Sequence, residues 1–292
     1  MKPPSFGGSW TQDKLERVRR YLEAYMKILR NYPQLEPAYV DAFAGTGYRD
    51  RSPSEDGDQL PLIEFDHAET QFIEGSASLA LGVKYPFTRY VFVERSRKRA
   101  GELEDLKRRF EHLKDRIDIV PEDANIYLQN WCIREDWTTR RAVVFLDPFG
   151  MQVEWPTVEC LAKTGHVDLW YLFPLSAVNR LLTKTGKPFP AWADKLNRIY
   201  GSSQWEAAFY PTKKVLTLFD ETESAPKDAD FGRIAEFTVA RLRTCFPKVA
   251  PNPRVLCNDN NSPLFLLCFA TASRKATTQK AALNIAEHIL SM

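Results

Sequence analysis

The chain has 292 residues, 44% of them hydrophobic and 27% charged, with a net charge of +2. That balance is ordinary for a soluble globular protein built as one large α/β domain or a core with an insertion, and +2 is too small to establish a nucleic-acid partner by itself. No apolar run is long enough to span a membrane, and Met1-Lys2-Pro3-Pro4-Ser5 lacks the apolar core of a signal peptide.

Residues 9–32 carry Leu15, Val18, Leu22, Tyr25, Met26 and Leu29 at helical spacing, with Thr11 as N-cap and Pro33 beyond the end. Tyr39–Ala44 reads as a short buried strand running into Gly45-Thr46-Gly47, followed by a long polar loop over 48–70. A helix from about Ser76 leads to a second strand, Tyr90–Glu94, and then to a charged helix with Leu103, Leu106 and Phe110 inward. The third strand is Ile117–Val120, the fourth lies over 142–147 and the fifth over Val167–Phe173, with helical patterns between them. This alternation predicts a parallel, doubly wound sheet. Residues 176–250 break the rhythm with a mostly helical pattern. Two strands near Arg254–Cys257 and Leu264–Thr271, joined by the turn Asn258-Asp259-Asn260-Asn261, and a helix over about 277–290 close the chain.

Two stretches, 9–32 and 95–116, are locally basic and read as solvated helix faces. The five cysteines (Cys132, Cys160, Cys245, Cys257, Cys268) never stand at CxxC spacing. This argues against a metal site or disulfide framework and for reduced thiols in a cytoplasmic protein.

The chemistry concentrates at strand ends. Asp41-Ala42-Phe43-Ala44-Gly45-Thr46-Gly47 is a glycine loop that lets a ligand approach the backbone, but it lacks a P-loop lysine and the third glycine of a dinucleotide fingerprint. Glu94 ends the second strand, where a carboxylate accepts from both hydroxyls of a ribose. Asp123, with Ala124, ends the third, where an adenine edge fits, or where Asp123 simply caps a helix. Asp147-Pro148-Phe149-Gly150 ends the fourth and joins an acid, a rigid carbonyl and an aromatic face. In an open α/β sheet that edge binds ligands.

This order of pieces resembles S-adenosylmethionine-dependent methyltransferases. The first loop resembles the Asp-x-Phe-Ala-Gly-[Ser/Thr]-Gly motif of nucleic-acid methyltransferases. Asp147–Gly150 resembles the Asp-Pro-Pro-[Tyr/Phe] motif of enzymes that methylate exocyclic amines, with Phe149 in place of the second proline. It is closer still to the Asp-Pro-Phe-Gly of tRNA guanine-N2 dimethyltransferases. A longer likeness joins Trp10-Thr11, Lys14-Leu15, Tyr21-Leu22, Asp41–Gly47, Glu74–Leu81, Phe145–Trp155 and Val167–Leu182. Over these segments the chain resembles the three-Cys-motif partner (TcmP) proteins.

The resemblance implies a Rossmann-like class I methyltransferase fold: a mostly parallel seven-stranded sheet with a helical insertion between strands five and six. The expected division is an N-terminal helical cap (1–37), a core (38–175 and 251–292) and the insertion (176–250). The implied cofactor is S-adenosyl-L-methionine, held by Asp41, Phe43, Ala44, Gly45, Gly47, Glu94, Asp123 and Ala124, with Lys14 and Trp10 closing over its methionine end. Asp147, Pro148 and Phe149 are the expected catalytic residues, and Gly150, Asn179 and Arg180 the substrate contacts. The insertion, with its aromatics and Arg180, Lys184 and Lys187, is the expected place for substrate recognition. The expected substrate is a nucleobase amine in DNA or RNA. The rival expectation is an accessory subunit of the same fold that partners a three-cysteine-motif protein. A third, a different nucleotide in the same cleft, is disfavoured by the absent third glycine and P-loop lysine.

Overall fold

The computed structural model describes residues 9–44, 73–184, 188–211, 213–216, 221–224 and 227–292. Helix α1 (Ser9–Leu29) leads into strand β1 (Glu36–Asp41). Then come α2 (Ile73–Leu81), β2 (Arg89–Val93), α3 (Arg97–Leu103), α4 (Asp105–Arg109), a 3-10 turn (Glu111–Arg116), β3 (Ile117–Val120), α5 (Ala124–Arg134), β4 (Arg140–Leu146), α6 (Trp155–Lys163) and β5 (Val167–Phe173). Between β5 and the last strands lie α7 (Leu175–Leu181), α8 (Pro190–Tyr200), α9 (Gln204–Phe209), the antiparallel pair β6 (Lys213–Leu216) and β7 (Glu221–Ser224), and α10 (Phe231–Arg243). Strands β8 (Lys248–Val249), β9 (Arg254–Cys257) and β10 (Pro263–Thr271) and helix α11 (Ala276–Ser291) complete the chain.

The main sheet runs β3-β2-β1-β4-β5-β10, with β8 and β9 both on the outer edge of β10. The first five strands are parallel and β10 is antiparallel to β5. The fold is therefore Rossmann-like α/β with a mostly parallel sheet, as the sequence predicts. The chain moves outward from β1 to β3 and then returns to place β4 on the other side of β1. That reversal makes the β1/β4 edge the topological switch point, where open α/β sheets bind ligands.

Strand periodicity sorts the side chains. Ala38 and Val40 of β1 and Ala142, Val144 and Leu146 of β4 enter a core with α5 to α10. Tyr39 of β1 and Val143 and Phe145 of β4 enter the opposite core with α1, α2 and α11. By the same parity Asp41 and Asp147 belong to the α1 face.

Several sequence expectations need correction. Thr11 lies inside α1, not at its cap, and the helix stops at Leu29. The first strand is Glu36–Asp41, so Ala42–Ala44 already belong to the turn. The expected strand Arg254–Cys257 is β9, and an additional two-residue strand, β8, precedes it on the same edge of β10, the two separated by Pro251 and Pro253, which bring no backbone N–H to the ladder. Residues 176–250 include the β6–β7 hairpin as well as helices. Trp205, Tyr200 and Phe209 of this region are fully buried, so they are core residues and unavailable to stack on a substrate. The expected hairpin turn is present: Asn258 N–H donates to the Ser262 carbonyl and Asn261 takes a left-handed φ of 57°. Several residues of the basic faces pair with neighbouring carboxylates, Arg19 and Arg20 with Glu16 and Lys107 with Glu104. Among the described residues no helix is long and apolar enough to cross a membrane.

Candidate functional site

The switch point is built by three elements. Strand β1 ends at Asp41, whose register partner on β4 is Phe145. Two residues beyond Phe145, on the same face, stands Asp147. Helix α1 crosses that face with Val18, Tyr21 and Leu22 packed inward, and one turn before Val18 the same stripe carries Lys14. Lys14 is 1% exposed, and its Nζ donates to Asp147 Oδ2 at 2.5 Å. The ammonium also lies 5.3 Å from the Trp10 ring centroid and 5.8 Å from that of Phe145, within cation–π range of both. Trp10 in turn packs on Phe265 of β10 at 5.0 Å between ring centres. Lys14 is thus an inward residue, and the reading of residues 9–32 as a wholly solvated basic face fails at this position.

Asp41 is also 1% exposed. Burial, reinforced by the charge of Asp147, pushes its carboxyl up to about 7, while Ser76, the Phe43 backbone and Lys14 pull the other way. Ser76 and the Phe43 backbone N–H approach the carboxyl as its hydrogen-bond donors, though neither bond is well aligned. Gly45 and Gly47, the expected cradle, lie outside the described residues. Ala44 N–H donates to the Val93 carbonyl at 2.9 Å, so the start of that loop is tied to the end of β2. Phe43 is half-buried against the α5–α10 core.

Glu94 follows β2 and is 7% exposed. Its Oε1 accepts from Ser96 N–H at 2.6 Å and from Arg99 Nη2 at 2.9 Å, so the expected ribose acceptor also fastens the start of α3. Asp123 caps α5: its Oδ1 accepts from the amides of Asn125 and Ile126, and Ala124 is the buried first residue of that helix. After Asp147, Pro148 is buried and Phe149 half-buried. Gly150 turns the chain with a left-handed φ of 68°, and Phe149 N–H donates to Gln152 Oε1 at 3.2 Å. Asn125, which sequence reasoning passed over as a site residue, holds this turn from α5. It donates to the Gln152 carbonyl and accepts from Glu154 N–H and Thr157 Oγ1.

The structure therefore brings Trp10, Lys14, Asp41 and Asp147 together at the switch point and sets Glu94 and Asp123 at the ends of successive strands on the same edge. Asn179 and Arg180 lie on α7, which follows β5 at the same strand-end edge. Asn179 accepts from Lys227 Nζ at 2.7 Å and Arg180 is exposed, as is Lys184; Lys187 lies outside the described residues. Sequence reasoning also missed Ser76 and Arg99. Only the tertiary packing of α2 and α3 brings them to Asp41 and Glu94, and no local pattern announces it.

No protein-family model matches the chain, and no match was found among curated proteins. Among solved structures, it is similar to a protein from Legionella pneumophila at 11% identity and a TM-score of 0.44, over 93% of this chain and 90% of that one. It is similar to a proposed S-adenosylmethionine-dependent methyltransferase from Listeria monocytogenes at 10% identity and 0.36, over 88% and 98%. It is similar to a proposed methyltransferase from Escherichia coli at 13% identity and 0.29, over 72% and 88%. All three scores lie below 0.5, so the fold class rests on the strand order described above.

Proposed function

We propose that this chain transfers a methyl group from S-adenosyl-L-methionine to an exocyclic amino group of a nucleobase in DNA or RNA. The observation that carries the reading is the placement of Asp147, Pro148 and Phe149 directly beyond β4 at the switch point, with Asp147 on the same face as the buried carboxyl of Asp41. The residues fit the cofactor: Asp41 offers buried acceptor oxygens to a cationic group, Glu94 a carboxylate to ribose hydroxyls, and Asp123 with Ala124 a helix start to an adenine edge. Gly45 and Gly47 would form the turn beneath it, with Lys14 and Trp10 at its methionine end. When bound, the cofactor supplies an electrophilic methyl group.

Asp147 and the Pro148 carbonyl accept hydrogen bonds from the target amine, which raises electron density on nitrogen and aims its lone pair. Phe149 stacks on the base, worth about 1–3 kcal/mol by comparison with other base–aromatic contacts. Alignment of the reactants supplies roughly 7–11 kcal/mol of barrier lowering. A base within a duplex has to be extruded to reach this position.

One observation favours a second reading. Lys14 already occupies an oxygen of Asp147 that an amine would need. A Rossmann-like subunit that partners a three-cysteine-motif protein without catalysing transfer has no use for a free Asp147. Incubation with methyl-labelled cofactor and, separately, total RNA, total DNA and co-expressed protein distinguishes the two. Label entering nucleic acid, and lost in Asp147→Asn while cofactor binding persists, supports catalysis. Cofactor binding with no label in any fraction supports the accessory reading.

A further inference from the structure

The turn after β4 is held by residues outside it. Pro148 fixes one backbone torsion of the run Asp147–Gly150, but residue 149 is a phenylalanine with a rotatable φ, and Gly150 beyond it takes a left-handed φ of 68°. A run with those freedoms samples several shapes unless its surroundings select one. Two side chains make that selection. Gln152 Oε1 accepts from Phe149 N–H at 3.2 Å, a bond that a proline at 149 could not donate. The main-chain carbonyl of Gln152 in turn accepts from Asn125 Nδ2 at 2.9 Å. Asn125 is 8% exposed, and its Oδ1 accepts from Glu154 N–H at 3.0 Å and from Thr157 Oγ1 at 2.9 Å. Its backbone N–H donates to Asp123, the cap of α5, so the side chain projects from a fixed first turn. Asn125, Gln152 and Phe149 therefore form a continuous chain of hydrogen bonds from a buried helix start to the aromatic of the turn.

Resting on the methyl-transfer reading above, we propose that Asn125 and Gln152 are positioning residues that hold Phe149 where an incoming base stacks. They fix with hydrogen bonds the turn that a second proline would fix with its ring. Neither side chain touches a reacting atom. Their effect on transfer passes through the placement of Phe149 and of the Pro148 carbonyl before it. A misplacement of about 1 Å lowers a rate about a hundredfold, so a few ordinary bonds have a large kinetic reach.

Gln152 is exposed, so Gln152→Ala removes the bond to Phe149 N–H without endangering the fold. Asn125→Asp keeps the shape and the acceptor for Glu154 and Thr157, but sets a carboxylate oxygen against the Gln152 carbonyl where a donor stood. Hydrogen exchange at the Phe149 amide should quicken roughly three- to tenfold in both variants, as for the loss of one hydrogen bond. Transfer is read with methyl-labelled S-adenosylmethionine and whichever of total RNA or total DNA the wild type labels. The saturated rate should fall about ten- to a hundredfold, and the half-saturating concentration of nucleic acid should change less than about threefold. Affinity for S-adenosylmethionine, by calorimetry, should stay within about twofold of wild type, since neither substitution removes the backbone bond to Asp123. Gln152→Glu, which retains an acceptor, should recover most of both the protection and the rate. Unchanged exchange, faster exchange with an unchanged rate, or a rate loss matched by lost cofactor affinity each overturns the proposal and leaves the methyl-transfer reading standing. Wild-type protein that labels neither RNA nor DNA ends the methyl-transfer reading and the proposal with it.

Discussion

Lys14 and Asp147 are 133 residues apart in the chain, and their charged groups meet at 2.5 Å. The pair joins the first described helix to the turn after β4, and it sets the ionic character of the candidate site before any ligand enters. A lysine 1% exposed is sustained only by its partners, here the carboxylate and the faces of Trp10 and Phe145. Lys14→Met should destabilise the fold by about 2–4 kcal/mol, as expected for breaking a buried pair from one side. The double variant Lys14→Met/Asp147→Asn should lose clearly less than the sum of the two single variants. Urea unfolding of the four proteins measures this coupling, and simple additivity would show that the two groups do not interact.

Asp41 makes stability depend on pH in an unusual direction. Its folded-state value of about 7 lies above that of an unfolded aspartate, so the folded chain binds more protons between about pH 4 and 7. Stability contributed by the neutral carboxyl is complete at low pH and is lost as pH rises through 7. Asp41→Asn should therefore stabilise the protein at pH 8, by about 2–4 kcal/mol, and change little at pH 4. Thermal unfolding across this range tests the sign; stabilisation confined to acid pH would contradict it. Asp168, buried where it accepts from the Tyr21 hydroxyl and raised to about 6 by that burial, acts in the same direction and remains in both proteins as a constant background.

Glu94 fastens the start of α3, and the methyl-transfer reading gives it a second duty at the ribose, so the two should separate. Glu94→Gln keeps an oxygen able to accept from Ser96 N–H and the start of α3, but loses the charge that strengthens bonds to ribose hydroxyls. Hydrogen bonds to charged groups contribute about 1.5–3 kcal/mol, so S-adenosylmethionine binding should weaken about ten- to a hundredfold with the fold intact. Calorimetry beside circular dichroism reads both effects, and unchanged affinity would remove Glu94 from the cofactor site.

Gly201 ends α8 with a left-handed φ of 67°, and a side-chain carbon there would come 2.0 Å from the Trp155 ring. Trp155 begins α6, immediately after the segment that carries Asp147–Gly150. Gly201→Ala should cost about 2–4 kcal/mol through backbone strain and overpacking. A denaturant midpoint unchanged from wild type would be incompatible with this contact.

The strands that carry the acids were legible because β1, β2, β4 and β5 are short buried runs, each bounded by turn or helix signals. Strand-end positions of Glu94 and Asp147 followed from those runs, and that of Asp123 from the short apolar run Ile117–Val120. The partners of these acids did not, because each bond depends on which helix lies over which face. Lys14 is the instructive case. Its basic neighbours made it read as part of a solvated face, and a charge buried on an apolar stripe makes sense only once Asp147 is known to stand opposite. On the outer edge β9 was legible and β8 was not, since a two-residue strand is too short to show a period. Asp123 illustrates the reverse, since the capping role open to it from sequence is the one its Oδ1 performs.

Helix α1 packs along α11, and the Arg17 guanidinium donates to the backbone carbonyl of Ile289 across 272 positions. The ribosome makes the lysine that confronts Asp147 long before the helix that clasps α1 in place emerges. During that interval Lys14 and the apolar stripe around it have no finished surface to settle on. Assembly of the switch point should be among the last events of folding, as contacts of such long sequence separation are slow to form. A stalled chain ending before Ala276 would carry every acid of the site and still lack the clasp that holds its lysine.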